Sequence, residues 1–500
     1  MNESSSNKSK VEFIARIVNP DGQVIEKTVT SYNELPSLDD FDLETREGFL
    51  RDFDKLEKAL LSARNEIGET IAEEYLDKAL KKIVKNKLTK IDTELGQVSA
   101  QIIKSVLFPL QPKERLLSIG MTMIVTKMCT QLSYRGATEM LNLVYHKNEN
   151  EAVKLRTLAD TTVRIGKEIT TEVMNKSESV LKMYGFNAET GLVENGVTLS
   201  ESVTQVCTSN KDTENRLCEI QKTIDAVNET RVEKIQLKSE DIYLESKDNC
   251  VYISVDDVGV KHQKDVRDPD ANYEKDYKYV ENTVAHIQSG NETYILTAVG
   301  MRNLFKILLA FLLTHDFLSK EIIFFTDGAQ NIRSYINEMF AFHSYSIVLD
   351  WFHLKKRCQE YLSMSINGKD KRNSCLEKTL RYLWVGDVES AISYLSNIPE
   401  NDVKKQKWLD DLIDYLDRKK DCIACYAVRA RLDFRNSSNQ VEKANDIIVA
   451  SRQKHNGMAW TPKGSSSLAA IECLYQNNQA YDWFYNHSIP MLIPSFSACA

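Results

Sequence analysis

CVYISVDDVGV, residues 250–260, carries β-branched and aromatic residues without a helical period, the pattern of a buried strand. Alternation sets Val251, Ile253 and Val255 on one face and Asp256 on the other. YKYVENTVAHIQSGNETYILTAV, residues 277–299, follows as a hairpin turning at Ser289-Gly290-Asn291. MRNLFKILLAFLLTH, residues 301–315, is helical, and IIFFTDGA, residues 322–329, is a strand that runs into a loop. NIRSYINEMF, residues 331–340, is a helix; SYSIVLD, residues 344–350, is again a strand, with a helix from about Phe352. Three antiparallel strands are thus followed by alternating helix and strand.

Outward from this core the texture changes. Residues 1–92 form an acidic N-terminal region: Pro20-Asp21-Gly22 turns between two short alternating runs, and Leu50, Phe53, Leu60, Ile67, Ile71 and Leu76 then fall near helix spacing. That helix ends in a basic run, Lys78, Lys81, Lys82, Lys85, Lys87 and Lys90, which is either a solvated face or one turned to DNA. Residues 93–245 read as several helices and a polar linker. Within them Tyr134 to Leu143 and Leu155 to Ile169 have the pattern of a helix-turn-helix, with Thr157, Asp160, Thr161 and Arg164 on or near the reading face. The core occupies 246–353, residues 354–436 are helical without obvious strands and read as an insertion, and 437–500 return to the core.

Composition bounds the alternatives. Hydrophobic residues at 42% and charged ones at 27% of 500 are ordinary for a soluble globular protein. Ten cysteines show no repeated spacing, and Cys422 with Cys425 lacks a second pair for zinc, so free thiols in a reducing cytoplasm are expected. MNESSSNKSK has no apolar signal core, and Phe305 to Leu313 is too short to span a bilayer. The net charge of −8 looks wrong for a nucleic-acid partner, but residues 1–80 hold 10 Lys or Arg against 18 Asp or Glu, leaving the rest of the chain balanced. Local clusters decide phosphate contact, because salt screens distant charge.

Three carboxylates stand out by position. Asp256 lies at the end of one strand, Asp327 follows the apolar strand IIFFT and precedes Gly328, and Glu442 opens the helical segment VEKANDIIVASRQ. Acids at the C-terminal edge of strands sit where open α/β sheets place ligands. Hard Mg²⁺ or Mn²⁺ ions take carboxylate oxygens, and two ions ~3.5–4 Å apart stabilise the attacking and leaving oxygens of a phosphoryl displacement.

The succession VYISVDD, IIFFTDGA, IVLDWFH and VEKANDIIVASRQKHNGMAWTPKGSSSLAAI resembles bacterial insertion-sequence transposases of the DDE class, relatives of the Mutator-like transposases. The likeness spans roughly residues 100–485. Asp350 and His353 match the family's (C/D)xxH signature, and Glu442, Arg452, Lys454, Gly457, Met458 and Trp460 match its pattern of Glu, a basic residue and Gly-Met-x-Trp. The resemblance implies that Asp256, Asp327 and Glu442 are a catalytic, metal-binding triad for two Mg²⁺ or Mn²⁺ ions. The separation of 115 residues from Asp327 to Glu442 then includes the helical insertion. One departure is Asp257, where the family usually has Gly; it is a rival or additional ligand, although strand alternation favours Asp256. Arg452, Lys454 and Trp460 are either a helix surface with a core Trp or, near Glu442, groups for phosphate contact and base stacking.

The expected fold is therefore α+β: an RNase H-like mixed sheet core, a helical N-terminal DNA-binding region, and an all-helical insertion before the last catalytic Glu. The expected activity is DNA strand cleavage and strand transfer by an insertion-sequence transposase. Its partners would be element ends and target DNA, in a homodimer or higher assembly without membrane, and its place the cytoplasm at the nucleoid. The rivals are an inactive or domesticated sequence-specific DNA-binding protein and a metal-dependent nuclease that does not join.

Overall fold

A computed structural model of the chain describes residues 11–18, 22–32, 88–94, 96–101, 116–145, 152–206, 213–231, 249–263, 279–454 and 457–491, with isolated positions between 44 and 68 and between 234 and 242. Lys78, Lys81, Lys82, Lys85 and Lys87 lie outside the described residues. The chain divides into two units, residues 1–162 and 163–500.

In the first unit, β1 (Val11–Val18) and β2 (Val24–Tyr32) form the antiparallel hairpin expected around Gly22. β3 (Leu88–Thr93) and β4 (Gly96–Gln101) form a second hairpin, which β5 (Leu116–Leu117) joins in parallel. The expectation of a basic helix end up to Lys90 is corrected here: Lys90 lies inside β3, where Thr89, Ile91 and Thr93 supply β-branched alternation. α1 (Ile119–Gln131) and α2 (Tyr134–Val144) pack together, each capped by a serine, Ser118 and Ser133, whose hydroxyl accepts from a first-turn N–H.

α3 (Leu155–Met183) begins where the reading helix was expected but runs for 29 residues, across the boundary between the units. Residues 145–154 separate α2 from α3, a longer connection than the three or four residues of a helix-turn-helix. Asn142 braces that connection through both of its amide atoms, bonded to the backbone of Val153.

The second unit holds a five-stranded mixed sheet with helices on both faces. The expected linker contains instead a real helix, α4 (Thr213–Asn228). Its Ile220, Ile224 and Val227 are buried with Val385 and Val428 from the later helical segment, so a polar stretch folds on distant apolar partners.

β6 (Cys250–Lys261) pairs antiparallel with β7 (Tyr279–Ser289), which turns through Gly290 into antiparallel β8 (Glu292–Val299). After α5 (Met301–Thr314), β9 (Glu321–Thr326) pairs parallel to β6; after α6 (Gln330–Met339), β10 (Tyr345–Leu349) pairs parallel to β9. The sheet order is β10-β9-β6-β7-β8. One face, carrying Ile253, Ile287 and Phe324, is packed by α5 and α6, with Phe324 edge-on to Phe340 and Phe340 against Phe305.

The other face carries Tyr252, Phe325 and Val348 and lies under α7 (Trp351–Ser365), α8 (Lys369–Trp384), α9 (Val388–Ser396) and α10 (Gln406–Lys419). α11 (Tyr426–Arg431) closes this helical insertion, its Tyr426 hydroxyl donating to the Leu349 carbonyl at 2.7 Å. The chain then returns to the sheet as α12 (Asn439–Asn445), which continues through a π-helical turn, Asp446–Ala450. α13 (Pro462–Gln476) and α14 (Ala480–Asn486) follow, and Asn477 after α13 bonds both backbone groups of Ile295 on the edge strand β8. Among the described residues no helix is long and apolar enough to cross a membrane.

Candidate active site

Pairing in the sheet brings the first two acids together. Ser254 of β6 lies level with Phe325 of β9, so two residues further along Asp256 comes level with Asp327 on the same face. Asp257 belongs to the opposite face, level with Thr283, whose hydroxyl donates to its carboxylate at 2.5 Å; Asn331 of α6 adds a longer contact at 3.4 Å. Burial raises the Asp257 pKa, opposed by those two hydrogen bonds.

Gly328 sits at φ +92°, and a Cβ there would come within 3.1 Å of Leu349 and 3.2 Å of the Tyr415 hydroxyl. Glycine thus lets the chain leave β9 sharply, and Asp327 closes the loop by accepting from the Ala329 N–H at 2.8 Å. Asp327 itself is exposed.

Asp256 is the most perturbed of the acids. Its Oδ1 accepts from the Asp257 N–H at 2.9 Å and its Oδ2 from the Asn445 amide at 2.6 Å. Burial pushes its pKa up to about 6, aided by the neighbouring charges of Asp327 and Asp257, while the Asp257 N–H and His353 act the other way.

Glu442 arrives on α12, which packs against β6 and β7, one helical turn before Asn445. Its Oε1 lies 2.8 Å from His353 Nε2. His353 is placed by Asp350, the cap of α7, which accepts the His353 N–H at 2.9 Å through Oδ1. Asp350 is fully buried, and its Oδ2 takes both the N–H and the hydroxyl of Ser438, the residue just before α12. One aspartate therefore ties the helix bearing His353 to the helix bearing Glu442.

A small cavity of about 90 Å³ beside these groups is lined by Asp327, His353, Lys356, Arg357 and Glu360.

The donor set suits a hard cation: carboxylate oxygens, with Asp256 half-buried beside the charges of Asp327 and Asp257. Among the described residues, no three His, Cys, Asp or Glu side chains are already grouped as a metal site. The chemistry of Asp256, Asp327 and Glu442 fits such an ion.

The tail motif follows the core reading of Trp460 and buries Arg452 as well. Arg452 and Trp460 are buried, with the guanidinium 4.9 Å from the indole centroid, so neither presents a surface to phosphate or base. Trp460 instead extends the end of β6: its N–H donates to the Lys261 carbonyl, its carbonyl accepts from Gln263, and its indole N–H donates to Gln453. Gln453 also bonds Ser465, which bonds Asn282 of β7, so the motif clamps the Glu442 segment to the sheet. Lys454 is exposed. In α3, Thr161 is buried and Thr157 half-buried, while exposed Arg164 and Asp160 are paired within the helix to Glu168 and Arg156. The expected reading face is thus not one continuous exposed surface.

Asn445, Ser438, Asn331 and Thr283 were not singled out from sequence. For Asn445 a signal existed, since a position three after Glu442 shares its helix face.

No family model matches the chain, and no curated protein matches it. Among solved structures, a Drosophila P element transposase strand transfer complex is similar at 11% identity, over 82% of this chain and 87% of that one. Its TM-score is 0.23, too low to show a shared fold.

Proposed function

We propose that the chain is a DDE-type DNA transposase with an RNase H-like core, acting at Asp256, Asp327 and Glu442. The observation that carries the reading is the meeting of Asp256, midway along β6, with Asp327, just past the end of the adjacent parallel strand β9, with α12 packed over β6 and Asn445 on Asp256. Three antiparallel strands followed by two parallel ones suit that class, as does a helical insertion between the second acid and the third.

In this reading water displaces the 3′ oxygen at an element-end phosphate, leaving a 3′-OH and a 5′-phosphate. The 3′-OH then attacks a phosphodiester of target DNA and displaces its 3′ oxygen. Two Mg²⁺ or Mn²⁺ ions held by Asp256, Asp327 and Glu442 would supply Lewis-acid activation and offset charge on the entering and leaving oxygens. The chain's own part is positioning. The Asp257 N–H and Asn445 hold Asp256 in one orientation, the Ala329 N–H holds Asp327, and His353, fixed by Asp350, holds Glu442.

Asp327→Asn tests this. Asp327 is exposed and the amide oxygen retains the Ala329 bond, so folding and DNA binding are expected to persist. Cleavage and joining of an end-bearing duplex in Mn²⁺ should fall by at least about a hundredfold, since alignment of the nucleophile is lost. Equal cleavage by both proteins removes Asp327 from the site. Intact binding with no cleavage by either moves the assignment to a DNA-binding protein without catalysis, and cleavage without joining moves it to a nuclease.

A further inference from the structure

The first two turns of α7 carry a second arrangement beside the acids. His353, Arg357 and Glu360 follow at helix spacing and line the cavity with Asp327, and Lys356 joins them. The adjoining stripe of Phe352, Lys355, Lys356 and Gln359 is exposed, Phe352 to 55%. Arg357 is engaged by Glu360 at 3.4 Å, whereas among the described residues Lys355 and Lys356 enter no ion pair. The Phe352 ring stands at 89° to the His353 imidazole, 5.8 Å between centroids. A lone exposed phenylalanine is unremarkable on a protein surface. An exposed aromatic one helical turn from two unpaired lysines, next to a cluster of carboxylates, has the composition of a single-strand platform: a ring for a base and ammonium groups for phosphates.

We infer that Phe352 stacks on an unpaired base of the DNA strand being processed, while Lys356 contacts a phosphate flanking the bond presented to Asp327. The inference rests on the DNA-processing reading above and adds the state of the substrate. Phe352 and Lys356 lie about 6 Å apart along the helix axis, at about 1.5 Å per residue. One base and a nearby phosphate therefore reach both without bending the helix. A base paired within a duplex has no free face to offer, so the partner is single-stranded at this point. The lysines also offset repulsion between the backbone and the carboxylates of Asp256 and Asp327.

The test uses the full chain in EDTA with a fluorescein-labelled oligothymidine and a duplex of equal length, read by anisotropy across a salt series. Phe352→Leu keeps an apolar, exposed side chain but removes the ring. It is expected to weaken oligothymidine binding about tenfold with little change on the duplex, and Phe352→Tyr is expected to restore it. Lys356→Gln should lower the slope of log K against log salt by about 0.7, one phosphate contact on a single strand. The inference is overturned if the wild-type chain does not bind oligothymidine, or if Phe352→Leu binds it as the wild type does. A parallel cleavage assay in Mn²⁺ separates the two readings. Loss of strand binding in Phe352→Leu with no cleavage by any protein leaves the platform and removes the enzyme. Cleavage by the wild type with unchanged binding by Phe352→Leu does the reverse.

Discussion

At the residue scale the acids differ by their surroundings more than by their chemistry. Asp256 is held by two donors yet stands in a buried, acid-rich place that pushes its pKa up to about 6. The unfolded chain releases that proton near pH 4, so the folded state holds it more tightly, and the group's contribution to stability fades as pH rises through about 6. Asp256→Asn removes the charge while keeping the Oδ1 bond to the Asp257 N–H. The buried Asn445 Oδ1, without a hydrogen-bond partner among the described residues, can accept the new amide if Asn445 turns over. In EDTA at pH 8 the variant should therefore be more stable than wild type by roughly 3 kcal/mol, at about 1.4 kcal/mol per pK unit, and the gap should close toward pH 4. Urea unfolding at both pH values reads this, and a variant less stable than wild type at pH 8 would show that the carboxylate is compensated. Asp327 was legible because an acid after an apolar strand is marked by local pattern, and Asp256 by strand alternation, although it lies midway along β6 and not at the strand end expected from sequence. Asn445 and Ser438 were not, because their partners lie far off in the chain.

At the element scale, the strands of the five-stranded sheet were legible within a residue or two, since each is a short apolar run bounded by turn residues. β6 is the clearest, read as 250–260 and observed as Cys250–Lys261. α4 escaped because its polar sequence folds only against Val385 and Val428. Arg452 was read as helix surface or phosphate contact, and Trp460 as core or base stack, because nothing local reveals that the tail folds back along the end of β6. The joint between α7 and α12 depends on one buried side chain. Asp350→Ala leaves the His353 N–H and both donors of Ser438 without their acceptor, and it removes the cap of α7. The expected loss is about 3 kcal/mol in chemical denaturation, with Asp350→Asn losing less because one acceptor remains. If cleavage depends on the His353–Glu442 pair, Asp350→Asn should lose more activity than its stability alone explains. A loss below about 1 kcal/mol for Asp350→Ala would mean that water replaces the carboxylate and the joint is held elsewhere.

At the scale of the whole molecule, charge is divided along the chain. The acidic excess of eight lies in residues 1–80, and residues 81–500 are balanced, so affinity for DNA has to come from clusters rather than from net attraction. Lys81, Lys82, Lys85 and Lys87 are the densest basic run, and Lys355 and Lys356 are a second, next to the acids. The two make separable contributions. In the proposed reading, contacts of the first kind would draw duplex to the protein without regard to the reacting bond, whereas the second kind would act only on the strand at the site. Replacing Lys81, Lys82, Lys85 and Lys87 together by Gln should lower the salt slope for duplex binding by up to about 3.6, at about 0.9 per phosphate contact. Oligothymidine binding, which depends on Phe352 and Lys356, should change far less. Anisotropy titrations of the full chain over a salt series give both slopes. An unchanged duplex slope would show that these lysines are only a solvated face, and duplex capture would then fall to Lys454 and to the exposed face of α3.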